Sequence, residues 1–338
     1  MRIEQIRQCL RGHGALPCHE RRVLRLWTQA LPWDGAPRRP ADFLPRSLNE
    51  AMPALRGQLH ALARLRSEHP GDDGSARLLV ELADGQTVES VLLPRDGLCV
   101  STQVGCAVGC VFCMTGRTGL LRQLGSAEIV AQVALARTRR PGRKVVFMGL
   151  GEPAHNLDNV LDAIELLGTE GDIGHKDLVV STVGDRRVFE RLSQARVRPA
   201  LAISLHSTSA AKRATLMPRA PRIDPAELVA LAERYARSTH YPTQYQWTLL
   251  DGVNDGDDER DGIVRLLAGT YAVMNLIPYN AVAGAPFARP AADRAAAMAL
   301  DLNRRGVLTK LRHSAGQDVD AGCGQLRARA IRVPLPTP

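Results

Sequence analysis

A chain of 338 residues, 45% of them hydrophobic, is long enough to bury a sizeable core as one large or two ordinary domains, which excludes a disordered or fibrous polypeptide. Lys and Arg outnumber Asp and Glu by 44 to 35, a net charge of +9, and only Lys144, Lys176, Lys212 and Lys310 of those cations are not arginine; such a surplus fits a polyanionic partner or a compositional habit. No run of 18 apolar residues could span a bilayer, Met1-Arg2-Ile3-Glu4 opens a charged amphipathic segment, and an odd count of seven cysteines is not a secreted disulfide framework, so no membrane association and a cytoplasmic location are expected.

Residues 1–70 carry helical periodicity, with Val23, Leu24, Leu26 and Trp27 in one helix and Leu55, Leu59, Leu62 and Leu65 spaced for another. The stretch 35–47, rich in Pro and Arg, reads as a loop between them. In 71–97, two strand-like runs at 77–83 and 86–93 are joined through Asp84-Gly85, a hairpin signal. From 98 to 328, strands are expected near 98–103, 144–149, 178–182, 199–204, 244–250, 272–278 and 307–312, with helices between them, one of them N-capped by Ser126. Strand-helix alternation implies an α/β fold with a parallel sheet, and six such units suggest a partial, open βα barrel. Residues 329–338, ending in Pro334-Leu335-Pro336-Thr337-Pro338, form a loose tail. The positive charge is uneven: 114–148 holds seven cations against one acid and 302–338 seven against two, whereas the rest of the chain beyond residue 95 is net acidic. That distribution marks both segments as candidate phosphate contacts.

Chemistry in βα folds gathers beyond the carboxyl ends of the strands. Those positions hold Cys106, Cys110 and Cys113 after the first strand, Glu152 after the second, Ser181 on the third, Ser204 and His206 at the fourth and Asn280 after the sixth. The three cysteines have C-x3-C-x2-C spacing on one loop. Three thiolates hold three irons of a four-iron cluster and leave one iron open, whereas a closed structural zinc site needs a fourth ligand, for which only the distant His155 or His206 offers itself.

With that loop at the head of a βα series, the chain resembles the radical S-adenosylmethionine superfamily, and within it the RlmN/Cfr family of RNA adenine methyltransferases. The narrower resemblance rests on seven blocks in the family's order: 98–106 (Leu-Cys-Val-Ser-Thr-Gln-Val-Gly-Cys), 147–153, 181–184, 201–206, 250–255, 275–280 and 320–326 (Asp-Ala-Gly-Cys-Gly-Gln-Leu). It implies a 4Fe-4S cluster on Cys106, Cys110 and Cys113, and S-adenosylmethionine held by Gly151, Glu152, Ser181, Ser204, Leu205, His206 and Asn280. Adenine carbon 2 is too electron-poor to attack a sulfonium methyl group, so a radical route is required, and the cofactor supplies it.

The resemblance further implies that Cys323 first accepts a methyl group, that a radical from a second S-adenosylmethionine abstracts hydrogen from that S-methyl, and that the carbon radical adds to the base. Glu89 then matches the general base that removes the ring proton, and Cys99 the thiol that resolves the adduct by a disulfide with Cys323. Ribosomal RNA, transfer RNA or both would be the substrate, carbon 2 the favoured position over carbon 8, the helical module an RNA contact, and a flavodoxin-type protein the electron donor. Three departures bear on the target: Gln246-Trp247 where members carry Glu-Tyr, Ala315-Gly316 for Arg-Gly, and Gly322 for alanine. A radical enzyme acting on a protein or small molecule, and a non-catalytic RNA-binding protein with a structural metal, are the alternatives; neither uses Cys99, Cys323 and Glu89 together.

Overall fold

The computed structural model describes residues 1–34, 43–117, 119–282, 284–312, 315 and 324–332. Three helices come first, α1 (Ile3–Gly12), α2 (Pro17–Thr28) and α3 (Arg46–Ala61), followed by strands β1 (Arg64–Pro70), β2 (Ala76–Glu81) and β3 (Thr87–Leu93). The α3 periodicity therefore stops sooner than its leucines imply: Leu65 lies on a strand. The reason is the run Arg64-Leu65-Arg66-Ser67-Glu68-His69, which alternates exposed and half-buried side chains along a sheet edge.

A single sheet organises the rest. After β4 (Gly97–Cys99) the chain makes a small hairpin of β5 (Gln103–Gly105) and β6 (Leu120–Gln123), with the one-turn α4 (Met114–Arg117) between them. Helix α5 (Ser126–Arg137), β7 (Lys144–Phe147), α6 (Leu157–Thr169), β8 (Leu178–Thr182), α7 (Arg186–Gln194) and β9 (Ala200–Ser204) follow. Then come α8 (Ala210–Leu216), α9 (Pro225–Thr239), β10 (Thr243–Leu249), α10 (Asp257–Leu267), β11 (Ala272–Pro278), α11 (Ala292–Arg304), β12 (Thr309–Leu311) and α12 (Gln325–Arg332). The sheet order is β1-β2-β3-β4-β7-β8-β9-β10-β11-β12. Pairing is antiparallel from β1 to β4 and parallel from β4 to β12, and β1 and β12 remain edges, so the expected open α/β barrel is present. Strands β2 and β3, the expected hairpin, are an antiparallel extension of the main sheet, whereas β5 and β6 pair only with each other.

Alternation sets the two faces of the sheet. Leu201, Ile203, Tyr245, Trp247 and Leu249 point outward into a core shared with α9, α10 and α11. Val179, Ala200, Ala202 and Cys99 line the inner face. The helical module belongs to the same body: Ile3, Ile6, Val23, Leu24 and Trp27 join α5 and α6 residues in one core. Nearly all of α5 is buried as a consequence. Its N-cap is Gly125, one residue before the expected Ser126; the Glu128 carboxylate accepts from the Gly125 amide at 2.7 Å, and the Ser126 hydroxyl accepts from the amide of Ile3.

Topology corrects one reading of the charge. Because α5 runs antiparallel to the strands, Arg137, Arg139, Arg140, Arg143 and Lys144 sit at the strand starts, away from the carboxyl ends. There Arg137 donates to the carbonyls of Thr28 and Gly171, Arg139 pairs with Glu68 and Arg143 with Asp96. Arg122 is held between Asp84 and Glu128. Of the seven cations in 114–148, only Arg117 stands by the cysteine loop, donating to the Gly284 carbonyl.

Candidate active site

The loop from Cys106 to Cys113 is shaped by close backbone approaches. Gly105 has φ +83°, and a Cβ there would lie 1.9 Å from the Gly119 carbonyl oxygen; a Cβ on Gly116 would meet the Cys110 amide at 2.8 Å. Both positions therefore require glycine. From outside, the end of α8 and the chain just after it clasp the loop: the Val111 amide donates to the Leu216 carbonyl, and the Arg219 amide to that of Val108. Val108, Leu216 and Met217 form a small core against which Cys106, Cys110 and Phe112 pack.

These surroundings suit anionic sulfur only when iron provides the counter-charge. Burial pushes the Cys106 thiol up to about 12; amides of Val108 and Gly109 aimed at the sulfur offset part of this, and Glu152 and Cys113 add to it. Cys110 is raised well above its ordinary value, first by burial and then by Cys113 and Cys106. The three thiols thus feel one another. Yet no three His, Cys, Asp or Glu side chains among the described residues converge as a single metal ion requires. Three mutually interacting thiols on one C-x3-C-x2-C loop are the donor set of a four-iron cluster with one iron left open. Neither His155 nor His206 completes a zinc set; His206 is occupied elsewhere.

Glu152 is buried at the end of the turn after β7. Its carboxylate accepts from the Ala154 amide, the Thr182 hydroxyl (2.6 Å) and the Val183 amide (3.0 Å). Burial raises its pKa against those three donors. Three of about four acceptor positions are taken, leaving one for a donor such as an ammonium group. Gly151, at φ +111°, could not carry a side chain, because a Cβ would meet Gln103 at 2.7 Å.

Ser181 and Ser204 are half-buried on the inner face, at the carboxyl ends of β8 and β9. Leu205 is fully buried in the outer core, so only its backbone can face a ligand. His206 has a left-handed backbone, φ +58°. Its Nδ1 accepts from the Thr248 amide at 3.0 Å, which leaves the proton on Nε2 as a donor. Burial, helped by Arg213, pushes its pKa down to about 3, so the ring is neutral. The ring also meets Phe112 edge-on, centroids 4.9 Å apart, tying the cysteine loop to the end of β9. At the far side Asn280 Oδ1 accepts from Arg289.

The sheet brings two more expected residues to this interior. Cys99, 7% exposed, lies on β4 between Val91 of β3 and Val146 of β7, in an apolar cluster against which Met148, Tyr241 and Ala315 pack. Glu89 on β3 is buried, contrary to the solvated position usual for a glutamate on a half-exposed strand. It pairs with Arg77 at 3.4 Å, and accepts from the amides of Gly324 (3.1 Å) and Arg327 (2.7 Å) at the start of α12. Cys323, the residue before Gly324, lies outside the described residues, as do Gly316 and Gly322. Arg77, Arg213 and Arg327 are functional-site neighbours that the sequence did not single out. Of the two other departures in the described region, Trp247 is an outer-core residue whose indole donates to the Asn254 carbonyl, and Gln246 faces inward on β10.

Comparison with known proteins accords with this geometry. Residues 100–267 match the model of the radical SAM superfamily. A probable RNA methyltransferase of Aromatoleum aromaticum is 76% identical, over 98% of this chain and 93% of its own length. Another, from Methylibium petroleiphilum, is 74% identical over 98% and 94%. Among solved structures, a radical SAM methyltransferase from Sphaerobacter thermophilus superposes with a TM-score of 0.81 at 33% identity, covering 96% of this chain and 97% of that one.

Proposed function

The chain belongs to the radical SAM superfamily, alongside relatives named probable RNA methyltransferases, and from that premise we propose that it methylates an adenosine ring carbon, carbon 2, in ribosomal or transfer RNA by the RlmN/Cfr route. The observation that carries this reading is Glu89. A radical enzyme that only cleaves its cofactor has no use for a buried carboxylate bound to the segment that follows a cysteine, and here Glu89 grips the amides of Gly324 and Arg327, one and four residues after Cys323, while Cys99 sits on the same inner wall.

The cluster, when bound, supplies the electron that turns S-adenosylmethionine into a hydrogen-abstracting agent. The protein's own residues do the rest. Cys106, Cys110 and Cys113 would hold the cluster; Gly151 and Glu152 would receive the amino group of S-adenosylmethionine; Ser181, Ser204, the Leu205 backbone, His206 through Nε2–H, and Asn280 would orient it. Cys323 carries the methyl group to be transferred, Glu89 takes the ring proton as the base adduct gives up one electron, matching the one spent on cofactor cleavage, and Cys99 attacks the Cys323 sulfur to release the product. That last step forms one S–S bond and breaks the bond from sulfur to the methylene on the base, whose electron pair passes into the ring and is then protonated from solvent to give the methyl group. A thiolate is the attacking species, and the apolar wall around Cys99 excludes water from it.

The RNA must present an unstacked base to this interior. Arg117 and the exposed Leu120 and Leu121 of the β5-β6 hairpin flank the cysteine loop and support an RNA-facing rim there, and the helical module extends it as an accessory contact. A flavodoxin-type protein is the proposed electron donor. The test is anaerobic reconstitution with iron and sulfide, then incubation with reductant, S-adenosylmethionine and total RNA from cells lacking the protein, followed by nucleoside mass analysis. Methyladenosine should appear at one carbon position; its absence from both ribosomal and transfer RNA refutes the proposal.

A further inference from the structure

Arg213, on α8, is 4% exposed, and nothing in the mechanism above uses it. Its Nη2 donates to the carbonyls of Val183 and Ser204, and its Nε has no hydrogen-bond partner. Carbonyl dipoles, not a carboxylate, are thus its partners. A buried charge so matched is costly unless an opposite charge completes the site.

Its position shows which charge that is. Val183 gives its amide to Glu152 and accepts at its carbonyl from Arg213, so a single residue bridges the guanidinium and the carboxylate at the cofactor turn. One turn further along, the same helix clasps the cysteine loop through Leu216, with Arg219 beyond it. Cys110 and Glu152 lie within electrostatic reach of Arg213, as does the neutral His206 ring. Iron-bound cysteines are thiolates, and a four-iron core held by three of them keeps a net negative charge, which would stand beside this one cation.

We infer that Arg213 is the counter-charge of the cluster, stabilising the electron the cluster accepts and so setting its reduction potential. In this step the cluster gains one electron and one negative charge from an external reductant, and no proton or bond is exchanged. A fixed cation in a low-dielectric site favours the reduced form. The inference rests on reading 106–113 as a cluster loop, and the experiment separates the two.

The full-length wild type, Arg213→Gln and Arg213→Lys proteins are reconstituted anaerobically, assayed for iron and sulfide, and titrated with dithionite and mediators, the reduced cluster being counted by its paramagnetic resonance signal. Arg213→Gln should be at least tenfold less reduced at a fixed potential, equivalent to about 59 mV for one electron. Arg213→Lys should stay within threefold of wild type. If Arg213→Gln takes up no cluster but Arg213→Lys does, the counter-charge is needed even for assembly, which upholds the role. Identical titrations of wild type and Arg213→Gln overturn the inference, as do equal shifts in both variants or failure of both to load, since these mark a packing role. A wild-type protein that binds no iron-sulfur cluster overturns the loop reading, and this inference with it.

Discussion

Replacing Arg77 with methionine tests whether the Glu89 site is held as an ion pair. Both side chains are nearly inaccessible, 3% and 2% exposed, and removing one partner of such a pair leaves a buried charge, typically costing about 3–5 kcal/mol. Two features place this case at the low end. The contact is 3.4 Å, longer than a charge-assisted bond of about 2.7–2.9 Å, and the Gly324 and Arg327 amides still face the carboxylate after the guanidinium is gone. We therefore expect Arg77→Met to lose about 3 kcal/mol in urea unfolding at unchanged m-value. Glu89→Gln should also destabilise, and the double variant should lose less than the sum of the singles by about 2 kcal/mol. The variant should still bind S-adenosylmethionine but form product slowly, because Arg77 positions the base without touching the cofactor. Additivity of the two substitutions within about 0.5 kcal/mol would refute the pairing, whatever the activities show.

Cys99→Ala should accumulate a covalent protein-RNA adduct visible on denaturing gels, and clean turnover would contradict its resolving role. Gly151→Ala should abolish S-adenosylmethionine binding in equilibrium dialysis while the cluster still forms, since the new Cβ would meet Gln103 at 2.7 Å in a backbone conformation that alanine avoids. The pH dependence of thiol labelling in the iron-free protein follows from the raised pKa of Cys106. From an ordinary 9.0 to about 12, its thiolate fraction at pH 8 falls roughly a thousandfold. Higher intrinsic nucleophilicity recovers part of that, so alkylation of Cys106 should be tens of times slower than for a small-molecule thiol of ordinary pKa and should still climb tenfold per pH unit beyond pH 9. A plateau near pH 9 would contradict the burial argument.

What the sequence revealed was what is local. The C-x3-C-x2-C loop, the glycine-rich turn at Gly151 and the short β-branched runs of the parallel strands announce themselves within a few residues. Strand β1 did not, because an edge strand with polar side chains on alternate positions carries little hydrophobic signal and follows directly on a leucine-periodic helix. The surroundings of Glu89 were out of reach for a different reason: Arg77 lies twelve residues away and the α12 amides more than two hundred, and only strand pairing and the closing of the C-terminal segment bring them together. Arg213 was one arginine among forty. The charge count along the chain also misplaced most of its cations, since composition does not tell which end of a strand a connection occupies.

The most direct test of the central claim uses S-adenosylmethionine carrying a trideuterated methyl group. If Cys323 is methylated first and its S-methyl then loses one hydrogen before joining the base, every methyladenosine whose carbon came through Cys323 from the labelled cofactor must retain two deuterons and gain one proton from solvent. Nucleoside mass analysis should therefore show a methyl group heavier by two mass units than the unlabelled product, and none at all from Cys323→Ala. A product heavier by three would mean that the methyl group moves intact, and would contradict the account.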